Sequence, residues 1–427
     1  MAESKISRRG FLRDGVVAGA AASLALSRGT AASYARILGA NERINIGLIG
    51  CGGRGRYILA NMVKPAKADT ALVAICDIWK HRLDTYLGET ENDLGLQPAA
   101  YGDYRKLLEH PELDAVVIAT PAHQHCGQTI DAVNAGKHVY VEKPIVSVMQ
   151  DLEVFNKCHK TVKASKIIVQ NGSQGVSGPS APAVRDFIAS GTLGKLYRIE
   201  SNANYPVPYW VNYKGPQSEA ETDWKAFLYN RKDRPFDAHM HAAWMGYHEF
   251  SSGPIGGWMA HFINTVHFVT GCDYPTHCVA YGGRYAPADD PRCDAPNQVT
   301  VNLDYAAGFC TQFVTHFGSS IDDETTKFMF EKGTLRTRFG HYLGNPEYSS
   351  EGVDDKIAKK TLLDADPGYP GVAHVENWID CMRSGQQPSA NMDYGHKQGI
   401  AVLMGDASYS LGRRVVYDKT KREIRPA

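Results

Sequence analysis

The chain has 427 residues, with 46 lysines plus arginines and 46 aspartates plus glutamates. This balance gives no indication of a nucleic-acid-binding protein or of one that docks on an acidic membrane surface. The length predicts two or three domains, and the 43% hydrophobic content is normal for a globular protein. The nine cysteines are scattered without a Cys-x-x-Cys pair, which indicates reduced core residues and no disulfide framework.

The first forty residues have a composition of their own, and we predict residues 1–40 to be a leader. Arg8 and Arg9 precede a short apolar run from Val16 to Leu26. This resembles a twin-arginine export signal, which implies transient use of that machinery and a periplasmic location. The run is about half of the ~20 residues that cross a bilayer, so no stable membrane span is expected. The alternative is a basic disordered arm, and the protein is then cytoplasmic.

A glycine-rich turn follows the first predicted strand, at 44–49. Gly50, Gly52 and Gly55 form the pattern G-x-G-x-x-G directly after this apolar run. In a dinucleotide-binding fold these glycines allow the tight turn, the approach of a pyrophosphate and close packing of the next helix. Free N–H groups at the helix start face the phosphates. The alternative is an ordinary glycine turn between a strand and a helix.

An acid ends the second predicted strand, at 71–76. Asp77 follows this strand, 22 residues after Gly55, where a carboxylate would bond both ribose hydroxyls and repel a 2′-phosphate. We therefore favour NAD over NADP as the cofactor. The predicted cofactor contacts in this region are Gly50, Gly52, Gly53, Arg54, Gly55 and Asp77.

Further apolar strands are predicted at 114–119, 138–141 and 166–170. Near-continuous apolar strands that alternate with helices indicate a parallel sheet covered on both faces. Ser147 has the position of an N-cap for a helix that runs to about Ala164. We assign residues 41–165 to a doubly wound, Rossmann-type α/β domain that binds NAD.

The pattern changes after Gly191. Partly alternating runs at 195–205, 276–283, 297–304 and 309–317 predict a large, open, mainly antiparallel sheet with one covered face. An aromatic-rich segment, 205–257, is predicted as an irregular loop with a short helix near 224–229. Two helices near 373–384 and 393–411 follow, and the assignment allows them to pack back near the first domain. We assign residues 166–427 to an α+β domain for substrate binding and oligomerisation.

Two segments carry a family resemblance. Residues 119–125 read Ala-Thr-Pro-Ala-His-Gln-His, and residues 135–144 end in Glu142-Lys143-Pro144. With the glycine turn, Asp77 and residues 191–195, they resemble the Gfo/Idh/MocA family of sugar oxidoreductases over essentially the whole chain after the leader. The resemblance implies an enzyme with a sugar or glycoside substrate and a homodimer or homotetramer formed through the open sheet.

Lys143 is the principal candidate for catalysis. The resemblance places it beside the nicotinamide and the substrate hydroxyl, with a following proline that often forms a cis peptide. A lysine near a cationic ring and partly out of water has a lowered pKa, so it can take the hydroxyl proton and stabilise the alkoxide. Neighbouring cofactor contacts are predicted at Thr120, Pro121 and Glu142. The alternative is a surface lysine at a strand end.

Two histidines follow Thr120 closely, and the sequence leaves their roles open. His123 is predicted to contact the ribose or the nicotinamide amide. His125 is predicted to contact the cofactor or, equally, to cap the next helix.

A third motif lies at 257–264. The family commonly has Asp-x-Gly-x-His-x-x-Asp here, and this chain keeps the histidine as His261 but has Gly257, Met259 and Asn264 at the other positions. We predict His261 to be a catalytic proton acceptor or relay that also binds substrate. Asn264, on the same helical face, is predicted to hold the ring or a sugar hydroxyl. The alternative is a core histidine, and the missing first acid puts an Asp–His relay in doubt.

The loop 205–257 contains residues with two interpretations each. Asp237, His239 and His241 have a spacing that a metal could use, but strand-like alternation gives the same pattern, and we predict no metal. Trp244 and Tyr247 are predicted to stack on the substrate, because sugars present C–H faces to aromatic rings. Packing against a second subunit is the alternative.

Three functions fit these observations. The first is NAD-dependent oxidation or reduction of a secondary hydroxyl on a sugar or glycoside. The second is a glycoside hydrolase that keeps NAD tightly bound and works by transient oxidation and elimination, which export of a folded, loaded protein would favour. The third is a non-catalytic nucleotide-binding sensor or structural protein.

Overall fold

The structure is a computed structural model that describes residues 43–66, 69–94, 97–212, 217–286, 290–321 and 325–427. The predicted leader, 1–40, lies outside the described residues. Within the part that is described, no helix combines the length and the hydropathy that crossing a bilayer requires.

A six-stranded parallel sheet forms the first half, in the order β3-β2-β1-β4-β5-β6. Its strands are β1 (Ile44–Ile49), β2 (Thr70–Cys76), β3 (Ala99–Tyr101), β4 (Ala115–Ile118), β5 (His138–Val141) and β6 (Val169–Asn171). Every residue of β1 is buried because helices cover both faces of the sheet. The strand order reverses between β1 and β4, and in open α/β sheets the ligand cleft lies at such a point. The predicted doubly wound parallel sheet is confirmed.

The helices of this half are α1 (Gly53–Ile58), α2 (Lys80–Leu94), α3 (Tyr104–Leu108), α4 (His125–Asn134), α5 (Leu152–Lys163) and α6 (Ser180–Ser190). The Ser147 cap prediction is wrong. A short 3₁₀ turn precedes α5, which begins at Leu152. Ser147 Oγ instead accepts the Ser252 N–H at 2.9 Å, so this serine ties the loop after β5 to the second half of the chain.

A ten-stranded sheet forms the second half, in the order β14-β13-β12-β11-β7-β10-β9-β8-β15-β16. Its strands are β7 (Leu196–Asn202), β8 (His277–Gly283), β9 (Gln298–Tyr305), β10 (Phe309–His316), β11 (Thr325–Phe330), β12 (Gly333–Arg338), β13 (Glu347–Ser349), β14 (Lys360–Thr361), β15 (Val415–Asp418) and β16 (Glu423–Pro426). All of its pairings are antiparallel except β7 with β10. The parallel pair is possible because a long crossover separates these two strands.

Burial alternates along β9 and β10, so one face of this sheet is covered and the other is open, as predicted. The helices of this half are α7 (Trp224–Leu228), α8 (Ala238–Ala242), α9 (Ala260–Thr270), α10 (Gly371–Ser384) and α11 (Met392–Leu411). Helices α9 and α11 pack together. The core joins the two sheets without a break, since Val116 of β4 and Phe313 of β10 belong to the same buried cluster.

Helix α10 returns to the first sheet. Its residues Val375 and Trp378 pack in the buried cluster that contains Ile44 and Ile58. The boundary that we drew at residue 165 remains a prediction, although β6, which completes the first sheet, lies beyond it.

Candidate active site

The glycine-rich turn lies at the carboxyl edge of the first sheet. Gly50 has φ +97°, and a Cβ there would lie 2.7 Å from the carbonyl oxygen of Ala119 at the end of β4. Only glycine fits both the backbone conformation and the close approach. A Cβ at Gly53 would meet nothing within 4 Å, so the start of α1 is open. This cradle, open toward N–H groups at a helix start, fits a dinucleotide pyrophosphate.

Asp77 braces this turn from the end of β2. Its two carboxylate oxygens accept the backbone N–H groups of Cys51 and Trp79, both at 2.9 Å. Burial raises the pKa of Asp77, while the nearby Arg82 and the two N–H bonds act in the opposite direction. Asp77 lines the cavity described next, in the position that the ribose contact requires.

Arg82 was not predicted and lies at the same subsite. Its Nη1 is 3.3 Å from the place of a Cβ on Gly52, and its guanidinium lies 4.8 Å over the ring of Trp79. An acid and a cation therefore flank the position where a ribose would bind.

A cavity of about 1000 Å³ extends from this subsite to the second half of the chain. This volume is at the upper end of the range for small-molecule sites. Of the residues predicted to bind cofactor or substrate, those that line it are Gly50, Gly52, Gly53, Arg54, Asp77, Thr120, Pro121, His125, Glu142, Lys143, Trp244 and His261. Gly55 is buried behind the turn, against the carbonyl oxygen of Gly50.

Lys143 follows β5 at the carboxyl edge of the sheet, and its peptide bond to Pro144 is cis. Its Nζ donates a hydrogen bond to the carbonyl oxygen of Gly257 at 2.6 Å. Withdrawal from bulk water lowers its pKa to about 8; Glu142 opposes this effect and Arg54 adds to it. The amine is therefore available as a proton acceptor close to neutral pH.

Glu142 holds the strand end behind Lys143. Its Oε1 accepts hydrogen bonds from Arg54 Nε and Nη2, at 2.9 and 2.8 Å, and from Gln174 at 3.2 Å. Burial works against ionisation of Glu142, but the Arg54 guanidinium outweighs it and holds the pKa below its usual value. Arg54, predicted as a cofactor contact, thus forms an ion pair that fixes the lysine-bearing turn.

His261 comes next to a histidine that the sequence analysis missed. Its ring lies 5.4 Å, centroid to centroid, from the ring of His341, which follows β12. Burial lowers the pKa of His261 well below its usual value and that of His341 to about 4, and in both cases Lys143 adds to the effect. Both rings are neutral near pH 7. Among the described residues, His261 Nδ1 has no hydrogen-bond partner.

His341 is placed by its neighbour Gly340, whose carbonyl oxygen accepts a hydrogen bond from Thr265 of α9 at 3.0 Å. No spacing in the sequence links the loop after β12 to α9, because the contact is made between distant segments.

Three predicted contacts lie outside the cavity wall. His123 is buried, with Nε2 2.7 Å from the carbonyl oxygen of Phe227, so it braces the loop 205–257 and does not line the cavity. Asn264 is buried in α9, and neither of its polar side-chain atoms has a partner among the described residues. The Tyr247 hydroxyl contacts His239 Nδ1 at 2.7 Å. None of these three side chains lines the cavity, and their predicted contacts with cofactor or substrate stay predictions.

His125 lines the cavity but is occupied by the backbone. Its ring nitrogens lie 2.9 Å from the carbonyl oxygen of Pro144 and 2.8 Å from that of Thr120. The ring therefore joins the ends of β4 and β5, and the helix-capping alternative is wrong because His125 is itself the first residue of α4.

The residues of the metal alternative point in different directions. Asp237 caps α8 by accepting the Met240 N–H, His239 pairs with Asp290 at 3.0 Å, and His241 turns toward Gln217. Within the described ranges, no three histidine, cysteine or acidic side chains are grouped as metal ligands.

Comparison with known proteins agrees with this geometry. Residues 44–173 match the family profile GFO_IDH_MocA, described as an oxidoreductase family with an NAD-binding Rossmann fold. The chain is 25% identical over 236 residues to a glycosyl hydrolase family 109 protein of Solibacter usitatus, covering 54% of this chain and 52% of the relative. It is 27% identical over 170 residues to the myo-inositol 2-dehydrogenase of Thermotoga maritima, covering 40% of this chain and 48% of the relative. The chain thus spans about half the length of these curated relatives.

The fold is shared with solved structures. A levoglucosan dehydrogenase in complex with NADH and levoglucosan superposes with a TM-score of 0.65 at 16% identity, covering 90% of this chain and 99% of the other. Such a similarity shows a common fold. Residues 44–173 are accordingly similar to the NAD-binding Rossmann domain of the Gfo/Idh/MocA oxidoreductases.

Proposed function

We propose that the protein uses NAD to oxidise or reduce a secondary hydroxyl of a sugar or glycoside. The single observation that carries the proposal is the convergence of Lys143 and His261 on one cavity that begins at the glycine-rich turn. The inositol dehydrogenase relative and the sugar-bound neighbour support a polyhydroxylated substrate.

The residues divide the work as follows. The turn and Asp77 hold the dinucleotide, which when bound supplies the hydride acceptor. Lys143 Nζ takes the proton of the substrate hydroxyl as the carbinol hydride leaves, and its ammonium then stabilises the alkoxide oxygen. His261, whose ring centroid lies 5.4 Å from that of His341, accepts a hydrogen bond from a neighbouring hydroxyl or passes the proton onward.

Hydride transfer is tested by adding methyl glucosides and myo-inositol to the purified protein while following the reduced-nicotinamide absorbance band. Wild type should change this band, and Lys143→Met should abolish the change while leaving NAD binding, measured by protein fluorescence, intact. Lys163→Met, at an exposed ion pair on α5, is the matched control and should behave as wild type. If no sugar causes hydride transfer, and if Lys143→Met does not differ from wild type in the nicotinamide band or in NAD binding, a non-catalytic nucleotide-binding protein is favoured.

A second candidate function is glycoside hydrolysis through transient oxidation. Oxidation of a ring hydroxyl acidifies the neighbouring C–H, the aglycone leaves by elimination, water adds, and the hydride returns. The similarity to a glycosyl hydrolase family 109 protein favours it, as do the neutral histidines beside Lys143. Turnover without added NAD decides between the two: a hydrolase releases aglycone for many cycles, whereas a dehydrogenase stops after one equivalent of bound cofactor.

The choice of cofactor depends on Asp77 and Arg82. We propose NAD, because a buried carboxylate at the ribose repels a 2′-phosphate, although Arg82 offers such a phosphate a counter-charge. Asp77→Ala should weaken NAD much more than NADP, and Arg82→Met should weaken NADP alone. Equal loss of both dinucleotides in Asp77→Ala would indicate that Asp77 only braces the turn through Cys51 and Trp79.

Location and assembly are also proposals. The twin-arginine leader supports export of the folded protein to the periplasm, and fractionation of cells that express Arg8→Lys with Arg9→Lys tests it. The open face of the second sheet carries exposed Tyr197, Val279 and Tyr281, which supports a homodimer or homotetramer through this face. Light scattering of Tyr281→Glu tests it, since a buried charge should separate the subunits.

A further inference from the structure

Gly257 lies between two side chains of the cavity. It belongs to the π-helical turn Ile255–Met259 that leads into α9. Lys143 Nζ donates to its carbonyl oxygen at 2.6 Å. A Cβ at this position would overlap the hydroxyl oxygen of Tyr209, far inside van der Waals contact. The tyrosine hydroxyl therefore occupies the space into which any side chain at position 257 would project.

Tyr209 is held firmly in this position. Its ring packs edge-on against Trp210 and Phe317, each with centroids 5.3 Å apart, and both of those side chains are fully buried. The anchored ring directs its hydroxyl end toward the cavity that Lys143 and His261 also line. Because Tyr209 comes from the loop 205–257, nothing in the spacing of the sequence links it to α9.

His261 completes this group. It lies four residues after Gly257, and both positions line the cavity. Only two carboxylates, Asp77 and Glu142, occur among the described residues that line the cavity. Glu142 is bound to Arg54, and Asp77 is at the far, ribose end. The part of the cavity around Lys143 thus contains the phenol of Tyr209 at the place where the family pattern has an acid.

We propose that the Tyr209 hydroxyl is a catalytic group that replaces the missing acid of position 257. This rests on the proposed function. As the substrate hydroxyl gives its proton to Lys143 Nζ and the carbinol hydride leaves for NAD, the Tyr209 O–H donates a hydrogen bond to the oxygen that becomes the alkoxide. No further proton or electron is transferred, and on ketone reduction the same hydrogen bond polarises the carbonyl.

A phenol and a carboxylate have different consequences at this site. A carboxylate only accepts hydrogen bonds and would hold the neighbouring lysine charged, whereas a neutral phenol donates one and leaves the lysine free to lose its proton. The low pKa of Lys143, about 8, agrees with the second case. Glycine at 257 and tyrosine at 209 form a matched pair, since a side chain at the first position excludes the hydroxyl of the second.

Two substitutions and their combination test the pair. Tyr209→Phe removes the hydroxyl and leaves the ring anchored, so kcat with a methyl glucoside should fall on the order of 10²-fold, with unchanged NAD binding and unchanged melting temperature. Gly257→Asp should lose activity because its Cβ meets the Tyr209 hydroxyl. In the double variant Gly257→Asp with Tyr209→Phe, the nearest ring atoms, Cζ and Cε1, stand 3.2 and 3.6 Å from the new Cβ. A shift of a few tenths of an ångström relieves the closer contact, so kcat should rise at least tenfold above that of Gly257→Asp.

Tyr205→Phe is the matched control. It removes a hydroxyl from the same segment and from a ring that also packs on Trp258, but Tyr205 does not line the cavity, so wild-type kcat is expected. A kcat of Tyr209→Phe within twofold of wild type, or a double variant no better than Gly257→Asp, would overturn the proposal.

A measurement without substrate separates this proposal from the proposed function. The pH dependence of acetic anhydride labelling of Lys143, read by mass spectrometry, reports the protonation of its amine. The carboxylate of the double variant should raise the midpoint by about one pH unit or more relative to Tyr209→Phe. If the midpoint does not move, position 257 does not reach Lys143 and the Tyr209 proposal fails, even where hydride transfer is observed. If the midpoint moves but no sugar is oxidised, the proposed function fails instead.

Discussion

The Lys143 amine lies near two charges of opposite sign. Glu142 precedes it in the chain and raises its pKa, while Arg54 lowers it. Since Arg54 and Glu142 are paired at 2.8 Å, their effects on the lysine largely cancel, and withdrawal from water sets the result. The pair therefore acts mainly as a support for the turn that carries the lysine.

A pH dependence of activity follows for Lys143. The neutral amine is needed to accept the substrate proton, so kcat/KM for oxidation should rise with pH and level off above about 8. Reduction needs the ammonium, so its kcat/KM should be highest below that pH and fall above it. Initial rates in both directions between about pH 6 and pH 10 provide the measurement.

Arg54→Gln tests the electrostatic account of that pH dependence. The substitution removes the partner of Glu142, so the unneutralised carboxylate should raise the pKa of Lys143. The rise of kcat/KM for oxidation and its fall for reduction, the two limbs of the pH profile, should therefore both move to higher pH. Limbs that stay in place would show that Arg54 and Glu142 do not act on the lysine. Arg185→Gln, whose guanidinium pairs with the surface residue Asp186, is the control.

Individual functional residues could be predicted from the sequence where they belong to a local motif. Lys143, Asp77 and the glycine turn were identified because their roles depend on positions at strand ends that hydrophobic periodicity locates. The catalytic role proposed for Tyr209 and the position of His341 were not predicted, because each residue reaches the cavity from an irregular loop and only contacts between distant segments define such positions. For the same reason the sequence could not show that the His123 ring contacts the carbonyl oxygen of Phe227, more than a hundred residues away.

Among the structural elements, the segment 217–250, here called the strap, lies across the cofactor end of the cavity. Thr222 forms an antiparallel bridge with Trp79, two residues after Asp77, and the Asp223 N–H donates to Ile78 at 3.0 Å. Phe227 and His241 of the strap line the cavity. A dinucleotide held by Asp77 would therefore be covered by the strap.

The strap is fastened by a buried ion pair. Arg231 Nη1 and Nη2 donate to the two carboxylate oxygens of Asp151 at 2.8 and 2.6 Å, and each side chain is 3% exposed. Removing one partner leaves an uncompensated buried charge, which typically costs 3–5 kcal/mol, whereas replacing both by apolar residues is often neutral. In a strap the cost can be relieved by local opening, since Arg231 then returns to water.

Cofactor retention is thus expected to depend on this pair. Asp151→Asn should lower the amount of NAD that remains after gel filtration several-fold and expose the strap to limited proteolysis. The double variant Asp151→Leu with Arg231→Leu should restore both. Removal of the exposed pair Lys163–Asp393 is the control for the loss of an ion pair as such. If Asp151→Asn retains NAD as wild type does, the strap does not limit cofactor release.

The elements themselves were predicted unevenly, for a physical reason. Strands buried on both faces, such as β1 and β4, and alternating strands, such as β9 and β10, carry strong patterns. The strands β13 and β14, at one end of the second sheet, have three and two residues, too few to show a period. They exist because β12 offers β13 a template for pairing, and β13 in turn offers one to β14.

For the whole molecule, the main electrostatic feature is a set of histidines buried as neutral rings. Burial lowers the pKa of His123, His267 and His374 to about 3 in each case. They lie in different parts of the fold: just before α4, within α9 and on α10. Because one continuous core joins the two sheets, protonation at any of these sites acts on the stability of the same body.

On acidification this protein should therefore unfold at a higher pH than its balanced charge would suggest. A histidine whose folded pKa is depressed contributes its full stabilisation above the unfolded pKa of about 6.5 and loses it as pH falls toward the folded value, because the unfolded chain binds the proton first. Each such group removes about 1.4 kcal/mol per pH unit below 6.5. Three together remove about 4 kcal/mol per pH unit, against a typical total stability of about 5–15 kcal/mol.

The free energy of unfolding, from urea titrations at several values between about pH 7.5 and pH 4.5, should fall steeply below about pH 6. His267→Leu should make the slope of the unfolding free energy against pH shallower by about 1.4 kcal/mol per pH unit, the contribution of one proton. His81→Gln, at an exposed position, should leave this slope unchanged. A free energy of unfolding that stays constant over this range would contradict the assignment of neutral buried histidines.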